Sequence, residues 1–195
     1  MKRTGKRARP AGPPAASARG RAGGIGRGSS PAAEAISDDL RRGDDAFLGH
    51  RRRIAGLSLA GIGSLGVVAA YQFGIVRSLP EPPGRIFDAA RVDASGEAYQ
   101  YLKTPDATLG MLSTAVTLVL AGMGAGDRHR RRHWVPVALA AKVVADAVFS
   151  GYLTVEQVSK HRRLCFWCLL AAASSAAAVP AAIPEAVAAI RDARR

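Results

Sequence analysis

The stretch LCFWCLLAAASSAAAVPAAI, residues 164–183, holds both cysteines of the chain and no charged residue. As a helix rising about 1.5 Å per residue, it is long enough to cross a hydrocarbon layer about 30 Å thick. Three runs of the same kind precede it: IAGLSLAGIGSLGVVAAYQFGIV (54–76), TLGMLSTAVTLVLAGMGAG (108–126) and WVPVALAAKVVADAVFSGYLTV (134–155). The first two carry no charge. The third contains Lys142 and Asp146, and a charge at the centre of a span costs about 2.5 to 3.5 kcal/mol. The 48% apolar and 6% aromatic composition is therefore gathered in blocks, and the reading is an all-α integral membrane protein, a bundle of four transmembrane helices. Polar, Pro/Gly/Arg-rich chain precedes the first span, so a cleaved signal peptide is not expected.

The net charge of +13 is distributed in a way that sets topology. Arginines crowd the entry to the first span (Arg51, Arg52, Arg53), fill the second connection as DRHRRRH (127–133) and return at Arg191, Arg194 and Arg195. The first connection, residues 77–107, has four basic and five acidic residues. The positive-inside rule then predicts a multi-pass protein of the cell's inner (plasma) membrane, with both termini cytoplasmic and the first and third connections outward. Lys160, Arg162 and Arg163 run against this orientation, but reversing it would export three basic clusters to save one. Residues 1–46 read as a disordered basic cytoplasmic tail and 47–190 as the membrane domain, with a short surface helix compatible with the spacing in 31–50. Residues 1–30 hold eight Lys or Arg, no acid and no aromatic residue. This suits contact with an anionic lipid bilayer and argues against nucleic-acid binding through stacked bases.

Within the spans, Gly56, Ala60 and Ser64 recur every four residues as a candidate close-approach stripe. Pro180 and Pro184 predict a kink or an end in the last helix. Lys142 and Asp146, four apart, are expected to pair inside the bundle or to serve a proton path. Trp134 and Tyr152 read as interfacial anchors, Trp167 as an anchor or a pocket wall, and His129 and His133 as solvated members of the arginine cluster. The small residues 171–178 suit either tight helix packing or room for a flat ligand.

Cys165 and Cys168 form a Cys-x-x-Cys pair at the mouth of the last span. Zinc needs four ligands, and only His161 stands near enough in sequence to help, so no metal is expected. Two inert thiols are one alternative. Against it, Cys165 falls in the first turn of a helix beside His161, Arg162 and Arg163, where positive charge and the helix dipole favour thiolate. On the outward side, where disulfides persist, such a pair can exchange with protein thiols and with a membrane-dissolved carrier, which suggests a disulfide-to-quinone relay.

CFWCLLAAASSAA (165–177) closing a four-span chain, together with FDAARVDASGEAYQYLKTPDATLGMLSTAVTLVLA (87–121), resembles the vitamin K epoxide reductase family over residues 50–185. The resemblance implies a four-helix bundle around a quinone pocket, with a short half-helix in the first outer loop and the Cys-x-x-Cys pair as redox centre. It implies that Cys168 faces the quinone (of ubiquinone or menaquinone type), that Cys165 exchanges with an incoming thiol, and that Ser95 lies at the quinone end. Trp167, between the cysteines, is a second candidate for the quinone wall. Tyr99 and Tyr101, on the half-helix, would cap the pocket or lie on the membrane. The family's loop cysteines are replaced by Ala89 and Pro83, and the tyrosine of vertebrate members by Ala172. With no internal shuttle, electrons must come from a separate thioredoxin-like thiol protein. The expected activity is that of a quinone-dependent membrane thiol-disulfide oxidoreductase; the alternative is a non-catalytic relative with a structural or binding role.

Overall fold

A computed structural model describes residues 30–100 and 102–195. The expected disorder of residues 1–29 and the role of Tyr101 fall outside the described residues. Among the described residues the chain is all-helical: α1 (Pro31–Arg42), α2 (Leu48–Gln72), α3 (Ala89–Asp93), a 3-10 turn (Gly96–Tyr99), α4 (Asp106–Gly122), α5 (Arg128–Arg131), α6 (Trp134–Glu156) running into a wider π-helical turn (Gln157–His161), and α7 (Phe166–Ala193). α1 is a short helix within residues 31–50, where the spacing allowed one. Ser30 caps that helix, its Oγ accepting from Ala33 N at 3.2 Å, with Pro31 in the first turn and Arg42 bonded to Asp38 at 2.5 Å.

Among the described residues three helices are long and apolar enough to cross a membrane: α2 (mean hydropathy 1.8), α6 with its π turn (1.4) and α7 (1.8). The fourth apolar helix, α4, has 17 residues, about 25 Å of rise, short of a full span by length. α7 packs on α2 and α6, and α4 fills the groove between α2 and α6. Leu59, Leu112, Val119, Val148 and Phe149 stay exposed, the outward apolar belt of a membrane protein. Trp134 and Tyr152 are exposed with them.

The buried face of α2 is Arg51, Ile54, Ser58, Gly61, Ser64 and Val68, which corrects the expected stripe. Gly56 and Ala60 face outward. A strict repeat of four advances about 400° per step and drifts about 40° around the helix, whereas alternating steps of three and four hold one face. Gly61 carries the close approach: a Cβ there would lie 3.7 Å from Thr114 and 3.8 Å from Ser174.

Neither proline ends α7, so of the two expected outcomes, a kink or an end, the second does not occur. Beyond Pro184 the helix is held by Ala186 and Ala189, both buried, and by Glu185, which forks onto Arg128 at 2.7 and 2.6 Å. Arg128 also donates to the carbonyls of Leu120 (2.6 Å) and Met123 (2.8 Å), and Arg51 donates to those of Ala121, Met123, Gly124 and Ala125. A helix leaves its last four carbonyls unpaired, and here two guanidinium groups cap the C-terminal end of the short α4. Two arginines that read as topology charges are thus turned inward. His129 also departs from its solvated reading, its ring packing edge-on against Phe47 at 5.0 Å.

The core has two parts. One, at the arginine end, gathers Ile54, Ala121, Leu139, Val143, Ala178, Ala181 and Ala182; the other, at the cysteine end, gathers Val68, Ala69, Ala89, Val92, Ala107 and Cys165. Between them lies a polar layer in which Lys142 Nζ reaches both oxygens of Asp146 (2.5 and 2.6 Å) and Ser113 Oγ (2.8 Å), while Thr117 donates to Asp146 at 2.9 Å. The expected pair is present, and its remaining valences are filled by hydroxyls, as a charge pair within apolar helices requires.

Candidate redox site

Cys165 is the N-cap of α7, and its Sγ accepts from Cys168 N at 3.2 Å. The Cys-x-x-Cys spacing produces this: the cap residue's side chain reaches the amide three residues on, which is otherwise unpaired in the first turn. Cys165 N donates to Gln157 Oε1 at 3.0 Å, so the π turn that ends α6 also fixes the cap. π turns of this kind often mark functional sites.

The first connection folds over this helix end. Leu164 and Phe87 form a short parallel bridge, with Asp88 N on Leu164 O (3.1 Å) and Leu164 N on Ile86 O (3.0 Å). Glu81 joins two helix N-termini, accepting from Ala89 N at 2.7 Å and from Phe166 N at 3.2 Å, where a carboxylate complements both dipoles. Trp167 Nε1 donates to Pro80 O at 2.8 Å, and Phe166 packs edge-on against Phe87. Under this cover Cys165 is 0% exposed.

Cys168, one turn deeper, is half-buried and opens onto a cavity of about 530 Å³. Its walls come from α2 (Leu65, Val68), α4 (Leu109, Gly110, Ser113), α6 (Asp146, Phe149), the outer loop (Asp93, Ser95) and the small residues Ala171, Ala172 and Ser175 of α7. Within the Ala/Ser run 171–178, Ala178 packs the core, while Ala171, Ala172 and Ser175 line the cavity. Ser95 lies in the wall, its Oγ donating to Val92 O at 2.9 Å. Trp167 is not among the lining residues; its ring holds the outer loop instead. Tyr99 donates to Gln72 O at 3.0 Å and ties the 3-10 turn to α2.

The charge around the thiols differs from expectation. Lys160 pairs with Glu156 and with Glu97 (3.2 Å), His161 lies 3.5 Å from Glu97, Arg162 turns into the left-handed region (φ 51), and Arg163 bonds the Arg162 carbonyl. The charged group that meets the cysteines is a carboxylate. Cys168 Sγ donates to Asp93 Oδ1 at 3.4 Å, and Asp93 is only 3% exposed with Oδ2 unpartnered. Burial pushes the Asp93 carboxyl up to about 6, assisted by Asp106 and Glu81 and opposed by its bonds to the two thiols. In sequence Asp93 was one of five loop acids, two residues before Ser95; its only distinguishing mark there was a place between Val92 and Ala94. Gln72, Glu81 and Gln157 were likewise missed, since each acts through loop closure.

Asp93, Cys165 and Cys168 bring their donor atoms within 4.8 Å of one another, and no fourth His, Cys, Asp or Glu joins them among the described residues. Three donors do not close a structural zinc set, whereas two thiols one turn apart beside a cavity are the arrangement a dithiol-disulfide couple uses.

The Vitamin K epoxide reductase family model matches residues 52–183. No curated protein and no solved structure matches the chain.

Proposed function

The chain belongs to the vitamin K epoxide reductase family, whose members are membrane oxidoreductases, and on that premise we propose that it oxidises protein thiols through Cys165 and Cys168 and passes the electrons to a quinone. The observation that carries this reading is Cys168 in the wall of the 530 Å³ cavity, with Cys165 Sγ accepting its amide from the helix mouth. The reaction balances simply: two S–H bonds break, one S–S bond forms, and the quinone gains two electrons and two protons to become a quinol. Cys168 faces the quinone, Cys165 exchanges with the incoming thiol, and Ser95 borders the quinone end. Trp167 acts at a distance by clamping Pro80.

In this reading α4 completes a four-helix membrane bundle despite its length, the termini lie in the cytoplasm, and α3 with the 3-10 turn is the outer half-helix. Electrons come from a separate thioredoxin-like protein, because the chain has two cysteines in all. That partner must lift the loop around Glu81 to reach Cys165. The test is quinol formation by the purified protein in lipid nanodiscs, given reduced thioredoxin-like donor and oxidised ubiquinone or menaquinone. Wild type is expected to turn over and Cys165→Ser to be silent; donor-dependent quinol formation that survives Cys165→Ser contradicts the assignment.

One observation favours a second reading. Cys165 is fully enclosed, as it would be in a non-catalytic relative that keeps the bundle for a structural role. In that case wild type gives no quinol with any donor, and Cys165→Ser changes neither fold nor binding.

A further inference from the structure

We propose that Asp93 is the proton carrier of the cysteine pair, taking the proton of Cys168 when the pair is oxidised and returning it when the disulfide is reduced. The proposal rests on the redox reading above and adds a catalytic residue to it.

The side chain of Asp93 has no structural bond to explain it. Its Oδ1 meets Cys168 Sγ at 3.4 Å, its Oδ2 is buried without a partner, and the contact from Gln72 goes to the Asp93 backbone carbonyl (3.4 Å), not to the carboxyl. A buried carboxyl left like this costs stability, and such groups concentrate where chemistry uses them. Asp93 also lines the cavity, so a proton held there is adjacent both to the sulfur and to whatever occupies the space.

The groups facing it from each neighbouring element are few. α7 offers Cys165 and Cys168, α4 offers Asp106, the first connection offers Glu81 and Glu97, α6 offers Asp146, paired with Lys142, and Glu156, paired with Lys160, and the π turn offers Lys160 and His161. Asp106 is occupied by Gln72 Nε2 (2.7 Å), Glu81 by two helix amides, and Lys160 and His161 by Glu97. Asp93 alone among the carboxylates has the thiols as its partners. In the oxidative half, the Cys168 S–H bond breaks, its proton moves to Asp93 and its electron pair is donated toward the quinone. The S–S bond to Cys165 then forms, and the Cys165 proton together with one drawn from water completes the quinol while Asp93 keeps the proton of Cys168. In the reductive half, a donor thiolate attacks Cys165, the S–S bond breaks, and the leaving Cys168 sulfur takes the proton from Asp93. A carboxyl titrating near 6 can do both at neutral pH.

The test compares wild type, Asp93→Asn and Asp93→Glu as full-length protein in nanodiscs, across pH 5 to 9, in two half-reactions. One is quinone-driven disulfide formation; the other is reduction of the disulfide by dithiothreitol, which needs no quinone. Wild-type rates are expected to bend near pH 6. Asp93→Asn is expected to lose that bend and to fall about 10²-fold at pH 7 in both halves, with partial recovery in Asp93→Glu. A merely structural role would lower rates without removing the bend. If Asp93→Asn keeps the wild-type pH profile in dithiothreitol, the proposal is overturned whatever quinone does. If wild type ignores quinone while Asp93→Asn still loses the bend with dithiothreitol, the quinone reading fails and the proton role stands.

Discussion

Glu185→Ala breaks the most heavily buried ion pair among the described residues. Arg128 and Glu185 side chains are 1% and 3% exposed, and the guanidinium forks onto the carboxylate through two bonds of 2.7 and 2.6 Å. Removing the carboxylate deletes both charge-assisted bonds and leaves the cation enclosed, a change that costs about 3–5 kcal/mol. Arg128 keeps its bonds to the carbonyls of Leu120 and Met123, which places the expected loss near the lower end. The double variant Arg128→Met with Glu185→Leu removes the stranded charge but uncovers Leu120 O, while Arg51 still serves Ala121 and Met123. An unpaired carbonyl costs about 1–3 kcal/mol, so the double variant should be no worse than Glu185→Ala alone and typically better. Unfolding in dodecyl maltoside micelles titrated with SDS, followed by far-UV circular dichroism, measures both. A loss below about 1 kcal/mol for Glu185→Ala, or a double variant markedly less stable than the single, would mean the buried carboxylate does not hold Arg128 in place.

Asp93→Asn should stabilise the fold in a pH-dependent way: the native carboxyl is raised from 3.8 to about 6, worth roughly 3 kcal/mol against the charged form, so wild type loses stability as pH rises from about 4 through 6. The same SDS titration should show the variant's advantage complete above pH 6 and gone below pH 4; a constant gap contradicts the assignment of the titrating group. Glu81→Ala frees two helix amides and loosens the cover of Cys165, so maleimide labelling of Cys165 in Cys168→Ser should rise at least about tenfold, the equivalent of one charge-assisted bond. Unchanged labelling would mean another contact holds the loop. Asp146→Leu strands Lys142 within a span at about 2.5 to 3.5 kcal/mol, whereas Lys142→Met with Asp146→Leu should recover most of it, read by folded yield in membranes.

The positions of α2, α6 and α7 were legible because long apolar runs leave few alternatives in a membrane, and the cysteine pair was legible from its place at a helix mouth. α4 was legible as an apolar helix, but its shortness became intelligible only with Arg51 and Arg128 folded onto its last carbonyls. Composition gives the number of arginines, not the direction each side chain takes. The same limit hid Asp93: nothing local distinguishes it from Asp88 or Glu97, and its meaning arises when residues 77–107 close over α7. It also misled at Lys160, His161, Arg162 and Arg163, which are near Cys165 in sequence, but Lys160 and His161 are met by glutamates, Arg162 is exposed and Arg163 bonds the Arg162 carbonyl.

The two thiols are proposed to answer to quinone. Alkylating Cys165 and Cys168 in isolated membranes before and after oxidised quinone is added decides this. Oxidised quinone is expected to turn two free thiols into a disulfide that no longer labels. Thiols that keep labelling with quinone present, yet form the disulfide with a soluble oxidant, would contradict it.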